Sequence, residues 1–242
     1  MITSPVASAI ELHNVSHVRA HAEKEIPDSI GGLSVAFKRR TLSVITSAAL
    51  GERDLCFRIA NLSELPDTGD VLIEGNSTRN LTADERADLR ARRIGMMFST
   101  PFLLPAFTVV ENIAMPMFKL EQVEAEDVRR RAEEALAFVG LTGCEQTRSE
   151  ELSRAQQHGV SLARALAAKP AVLLVEEIDS MVPAEALAEY MRLLLRAAVE
   201  FEIGIIATAS PNIGAPEKPW RWLHLENGVI RSDSTPCGER LS

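Results

Sequence analysis

Thr41–Leu62 reads TLSVITSAALGERDLCFRIANL. Leu42, Val44 and Ile45 are apolar, the last two β-branched, and together they predict a buried strand. Small residues from Ser47 to Ala49 interrupt the run, and a helix is expected from about Arg53. Strand, small-residue turn and helix are the framework of a phosphate-binding loop, in which backbone N–H groups and a helix N-terminus hold an anion. The side chains of that loop are another matter. Laid on G-x-x-x-x-G-K-[ST], the window places Thr46 at the first glycine and Gly51 at the second. Glu52 then stands at the lysine and Arg53 at the hydroxyl residue. Sliding the window recovers no lysine, because none occurs between Lys38 and Lys119.

The rest of the chain bounds the reading. Its 242 residues, 46% hydrophobic and 25% charged, suit one large globular domain or a core with subdomains. A net charge of −8 argues against nucleic acid as a partner, which would require a basic stripe. Cys56, Cys144 and Cys237 lack metal-ligand spacing and read as reduced thiols of a cytosolic protein. The histidines show no ligand spacing either, so no metal site is expected from them. The opening MITSPVASAIEL lacks the charged start and long apolar run of a signal peptide, and no stretch reaches membrane-spanning length.

In chain order, residues 9–19 and 33–37 alternate like half-exposed strands around a polar loop, HAEKEIPDSIGG. Val71–Ile73 is a short strand between turns, which makes this first part strand-rich and antiparallel at its edge. Thr82–Arg92 opens with a Thr-x-x-Glu capping box and continues as an exposed helix. Ile94–Phe98 is a strand. Helices are expected over Thr108–Met117, Ala125–Val139, Glu150–Ala168 and Pro183–Phe201. Ala171–Val175 and Gly204–Thr208 are continuous apolar runs, as central parallel strands are. Asn227-Gly228 signals a hairpin between Trp222–Leu225 and Val229–Arg231, and the last ten residues read as a frayed tail.

This order of elements resembles an ABC-transporter nucleotide-binding domain, of the type found in lipoprotein-release, macrolide-export and cell-division transporters. The resemblance runs from Ile10 to about Arg231. It is carried by PDTGDVLIEG (66–75), RRIGMMFSTPFLLPAFTVVENIAMPM (92–117) and ELSRAQQHGVSLARALAAKPAVLLVEEIDS (151–180). It implies an α/β fold, a P-loop NTPase-like core with an antiparallel β subdomain and an inserted α-helical subdomain. On that basis residues 1–242 form a single nucleotide-binding domain, with the core in 8–98 and 161–232 and the helical subdomain in 99–160.

Carried over position by position, the resemblance puts Arg19 where an aromatic stacks on adenine, and Thr46, Gly51, Glu52 and Arg53 in the phosphate loop. A carboxylate at Glu52 would repel phosphate where lysine attracts it, and Arg53 cannot ligate magnesium. Ser99 stands at the Q-loop glutamine, Glu176 at the Walker B aspartate, Pro183 at the D-loop aspartate and Ala209 at the switch histidine. Glu177 matches the general base. The signature LSGGQ is LSRAQ here: Ser153 and Gln156 remain, while Arg154 and Ala155 replace the glycines. More ordinary roles stand beside these: a paired carboxylate for Glu177, helix caps for Ser153 and Gln156, a solvated side chain for Arg19.

The resemblance with these departures leads to the expectation of a catalytically degenerate subunit, not itself an active ATPase, with no nucleotide at its own loop. A composite site, built with the intact phosphate loop of a second ABC ATPase subunit, would admit ATP and magnesium. Heterodimers are expected over homodimers. A membrane permease would meet the apolar segment Phe102, Leu103, Leu104, Pro105 and Phe107, holding the chain to the inner face of the cell membrane. A soluble regulatory or scaffold protein derived from such an ATPase is the alternative. Arg53 is further expected to fill the place of magnesium and pair with Glu176 or Glu177, since a guanidinium fits a carboxylate bidentately.

Overall fold

The computed structural model describes residues 8–20, 28–118, 124–213 and 220–234. The chain enters through β1 (Ser8–Arg19), β2 (Asp28–Lys38) and β3 (Thr41–Thr46), then α1 (Leu50–Ala60). Next come β4 (Thr68–Ile73), β5 (Asn76–Ser77), α2 (Ala83–Arg93) and β6 (Ile94–Met97). The helices α3 (Val109–Phe118), α4 (Ala125–Phe138) and α5 (Arg154–Ala167) follow, then β7 (Val172–Val175), α6 (Ala184–Glu200) and β8 (Gly204–Ala209). The hairpin of β9 (Arg221–Glu226) and β10 (Val229–Ser234) ends the described chain. Among the described residues no helix is long and apolar enough to cross a membrane.

Two sheets result. One is antiparallel, in the order β2-β1-β4-β5. The other runs β10-β9-β3-β8-β7-β6, parallel except for its terminal hairpin. Side chains alternate across the parallel strands, so both faces must be covered. Leu42, Val44, Leu173, Val175, Ile205 and Ala207 face a core shared with α3, α4, α5 and α6. Ile45, Val172, Leu174 and Ile206 face the other way, toward α1 and the antiparallel sheet. The strands that read as continuous apolar runs are those covered on both sides.

Three boundaries differ from the sequence reading. First, α1 begins at Leu50, not near Arg53, which brings Glu52 and Arg53 into its first turn. Second, Asp28–Gly32, expected in a polar loop, belongs to β2, because its backbone pairs with the far end of β1. Ladder hydrogen bonds outweigh polar composition there. Third, the helix expected from Glu150 starts after Ser153, preceded by a single tight turn at Ser149–Glu151. The capping box at Thr82 forms as expected, with Glu85 N–H on Thr82 Oγ1 at 3.3 Å and Thr82 N–H on Glu85 Oε2 at 2.7 Å. Of the tail expected over 233–242, Asp233 and Ser234 belong to β10, where they pair with β9. Residues 235–242, and 21–27 of the expected polar loop, lie outside the described residues.

Hairpin β9–β10 locks onto the antiparallel sheet through Gly228. Its φ is +75°, its carbonyl accepts from Gly31 N–H at 3.0 Å, and an added Cβ would lie 2.6 Å from the Ser29 carbonyl oxygen. Gly228→Ala therefore meets both a disfavoured backbone angle and a backbone clash. It is expected to lower stability by about 2 kcal/mol, read as a lower urea midpoint with an unchanged slope.

Candidate functional site: the strand–turn–helix at Thr46–Arg53

Strands β3, β7 and β8 are parallel and in register, so their C-terminal ends open on one edge. Thr46, Glu176, Glu177 and Ala209 gather there, where open α/β sheets bind ligands. Thr46 closes β3, its hydroxyl donating to the Leu223 carbonyl at 3.3 Å and lying 3.0 Å from His224 Nδ1. Ala209 lies buried opposite it in register.

The two charged residues of the loop point in different directions. Arg53 turns into the sheet edge: Nε donates to Glu177 Oε1 at 2.8 Å and Nη2 to Glu177 Oε2 at 2.9 Å. Its third nitrogen donates to the Ser47 carbonyl. The Arg53 side chain is 7% exposed and Glu177 18%. This bidentate pair is the one expected from the sequence, with Glu177 as the partner. Glu176, the other candidate, instead accepts from the N–H and hydroxyl of Ser99 at 3.3 and 3.2 Å. Glu177 adopts a left-handed backbone angle, φ 44°, and its N–H donates to Thr208 Oγ1 at 2.9 Å.

Glu52 turns the other way. Its carboxylate accepts from Ser47 Oγ at 2.6 Å and from Gly228 N–H at 2.9 Å, fastening α1 to the hairpin. The repulsion of phosphate expected from Glu52 thus gives way to a buried structural bracket, because consecutive helical residues diverge by about 100°. Cys56, one turn on, is buried, and burial with the nearby Glu52 charge pushes its thiol up to about 12. That thiol is inert at neutral pH.

Arg19 is no solvated side chain. It donates to Glu64 at 2.9 Å and to Asp54 at 2.7 Å, with a second, shorter contact to Glu64. His17 reaches the same Glu64 at 2.8 Å. The carboxylate–guanidinium contact holds Glu64 below the ordinary glutamate range. A cavity of about 400 Å³ lies in front of these groups. It is lined by Arg19, Asp28, Gly51, Asp54, Glu176 and Glu177, among others. Of the lining residues, sequence reasoning missed Asp28, Leu50, Asp54, Phe57 and Thr208. Asp54 adjoins Arg53 in sequence, whereas only sheet pairing brings Asp28 here.

Magnesium and ATP, which the resemblance implies, do not fit this loop as it stands. A Cβ placed on Gly51 would lie 1.8 Å from Asp28 Oδ1, so the carboxylate rests where the loop would receive an anion. Arg53 covers Glu177. Asp28 and Arg53 thus line the loop with an anion and a cation of the chain's own.

At the signature, Ser153 and Gln156 form a reciprocal cap: Gln156 N–H on Ser153 Oγ at 3.3 Å, Ser153 N–H on Gln156 Oε1 at 3.0 Å. Ser153, Arg154 and Ala155 are exposed. Arg154 reaches the Ser180 carbonyl at 3.4 Å. Of the apolar segment, Phe102, Leu104 and Phe107 stand exposed at 64%, 38% and 40%, whereas Leu103 packs against the core. Arg164 clasps the Pro101 and Phe102 carbonyls at 2.8 and 2.9 Å, fixing the loop.

Two outcomes follow from these pairs. Arg53→Ala leaves the half-buried Glu177 without its cation and is expected to cost about 2 kcal/mol, less than for a fully buried pair because water can reach the carboxylate, measured by chemical denaturation. The Glu64 carboxylate is depressed in the folded chain, so its contribution is present above the ordinary glutamate range and lost as pH falls through the folded value. Arg19→Ala should flatten that acid limb in a series of urea melts.

The family described as "ABC transporter" matches residues 56–180. The chain is 33% identical over 178 residues to methionine import ATP-binding protein MetN of Cutibacterium acnes, covering 74% of this chain and 48% of that one. It is 29% identical over 207 residues to lipoprotein-releasing system ATP-binding protein LolD of Bordetella pertussis, covering 84% and 87%. The chain thus spans about half the length of the methionine-import relatives. Among solved structures, a bacterial ABC transporter cassette in dimeric form matches with TM-score 0.78 at 23% identity, covering 95% of this chain and 100% of that one. The structure of cbiO1 from Clostridium perfringens matches with TM-score 0.79 at 19% identity, covering 95% and 89%. Both show the fold. The relatives' names overturn the expectation that this chain is no enzyme: chains alike over about three-quarters or more of its length are named as ATP-binding proteins. Departures at single contact positions do not outweigh likeness over the rest of the cassette. With more than half its length in the family match, the chain belongs to the ABC transporter family.

Proposed function

We propose that this chain is the ATP-binding subunit of an ABC transporter, working beside a second cassette and against a membrane permease. In such a pair the two nucleotide sites are unequal. ATP chemistry involving this chain centres on the site that Ser153–Gln156 closes over the phosphate loop of the partner cassette.

A contrast between two helix N-termini carries the reading. The start of α1 is covered by the Asp28 carboxylate. The start of α5 is exposed, capped by Ser153, and flanked by the Arg154 guanidinium. A helix N-terminus beside a guanidinium is suited to a phosphate. For the permease, support comes from the exposed Phe102, Leu104 and Phe107, a grouping of apolar side chains that solvent alone does not favour. The lipoprotein-release relative, matched over 87% of its own length, is named as the ATP-binding protein of a releasing system, which supports a role in transport.

The test is hydrolysis by the assembled transporter. Ser153→Arg should lower ATP turnover by about tenfold or more, the order of one charge-assisted hydrogen bond lost. Turnover unchanged by this substitution would refute a composite site. Phe107→Asp, in turn, should release the chain from permease-containing membranes in a flotation assay while leaving its fold intact.

A further inference from the structure

Helix α6 covers the parallel sheet with one face and leaves the other open. Leu187, Met191, Leu194 and Ala198 are among the residues it buries in the core. The open face carries two stripes. Glu185, Glu189, Arg192 and Arg196 are exposed and recur at intervals of three and four residues, so they follow one line along the helix. Ala186, Tyr190 and Leu193, with Val182 just ahead of the helix, are half-buried beside that line and border a groove of about 410 Å³.

The charges of the first stripe are ordered. Both acids lie in its N-terminal half and both bases in its C-terminal half. Among the described residues, the side chains of Glu185, Glu189 and Arg192 make no hydrogen bond or ion pair. Arg196 donates to the Phe138 carbonyl at 2.9 Å and lies 3.5 Å from Glu200, which holds it in place. The helix dipole favours an acid in the first turn, where Glu185 stands, but its influence fades within that turn. Glu189 and Arg192, in the middle of the helix, need another reason.

A uniformly acidic or uniformly basic partner would be repelled by half of this stripe. A helix with the same order of charges, running the opposite way, meets it with opposite charge at every position. A two-fold axis between Tyr190 and Met191 supplies that helix from a second copy of the chain. Glu185 then faces Arg196 of the second copy and Glu189 faces Arg192 of the second copy, each contact being made twice. The same axis lays one apolar stripe against the other and closes the groove. We propose that this face of α6 is an isologous, antiparallel contact between two copies of the chain, held by these ion pairs beside the apolar groove. The contact is additional to the pairing of cassettes through Ser153–Gln156 and does not depend on it.

Exposed ion pairs are individually weak and screened by salt, so the dimer should dissociate as ionic strength rises. The test is sedimentation equilibrium of the isolated full chain at low ionic strength, without nucleotide. Glu189→Arg sets guanidinium against guanidinium across the axis, and Arg192→Glu sets carboxylate against carboxylate. Each variant alone should therefore dissociate at least about tenfold more readily than the unaltered chain. Mixed together, the two variants restore opposite charges at both contacts and should pair as tightly as the unaltered chain does. A folding defect would not be repaired by mixing. An unaltered chain that stays monomeric up to about 1 mM leaves the face to another protein and overturns the proposal. Single variants that pair as tightly as the unaltered chain overturn it, and so does a mixture that stays monomeric. A dimer abolished by Ser153→Arg but not by Glu189→Arg would be the cassette pairing instead, and would overturn it too.

Discussion

The pair between Arg53 and Glu177 is the contact on which the sheet edge depends. It ties the first turn of α1 to the end of β7, through residues 124 positions apart in sequence. Parallel strands end in carbonyl and amide groups with no further ladder partner, and such an edge needs either a ligand or side chains to satisfy it. A guanidinium suits the role because it offers several donors in one plane. It meets two carboxylate oxygens and one carbonyl here without leaving a nitrogen facing apolar atoms. The buried pair owes its persistence less to net stability than to the penalty of removing either half alone.

Around that pair the site is built from local solutions to ordinary problems. Glu52 would be an expensive buried charge, but a serine hydroxyl and a glycine N–H satisfy it. Glu176 finds Ser99, and Arg19 finds Asp54 and Glu64. Each of these charged side chains is matched by a partner in the fold. The start of α5, by contrast, is exposed and capped.

Expectation and outcome part company at single residues. Arg53 is legible in the sequence, because its position in the loop and its shape admit few partners. Ser153 and Gln156 are legible as a cap, since a three-residue spacing suffices to close one. Glu52 is not. Its place in the loop suggests a charge facing phosphate, but the direction of a helical side chain depends on where the helix begins, and α1 begins at Leu50, ahead of the expected start. Arg19 escapes a local reading for a related reason, as its partners lie 35 and 45 residues away. The expectation of an inactive chain fails differently: it rests on a few contact positions, and the likeness of the whole cassette outweighs them.

Sequence alone settled the strands, the helices and their order, because hydrophobic period, capping residues and turn residues are local signals. It also settled the family, since several motifs occurred in one order. Tertiary structure decided which charges meet. Asp28 comes to Gly51 only because β2 pairs with β1 and places its first residue over α1. In space that loop is bordered by Asp28 against Gly51 and by Arg53 on Glu177. Long-range sheet pairing sets that outcome, and no local spacing encodes it.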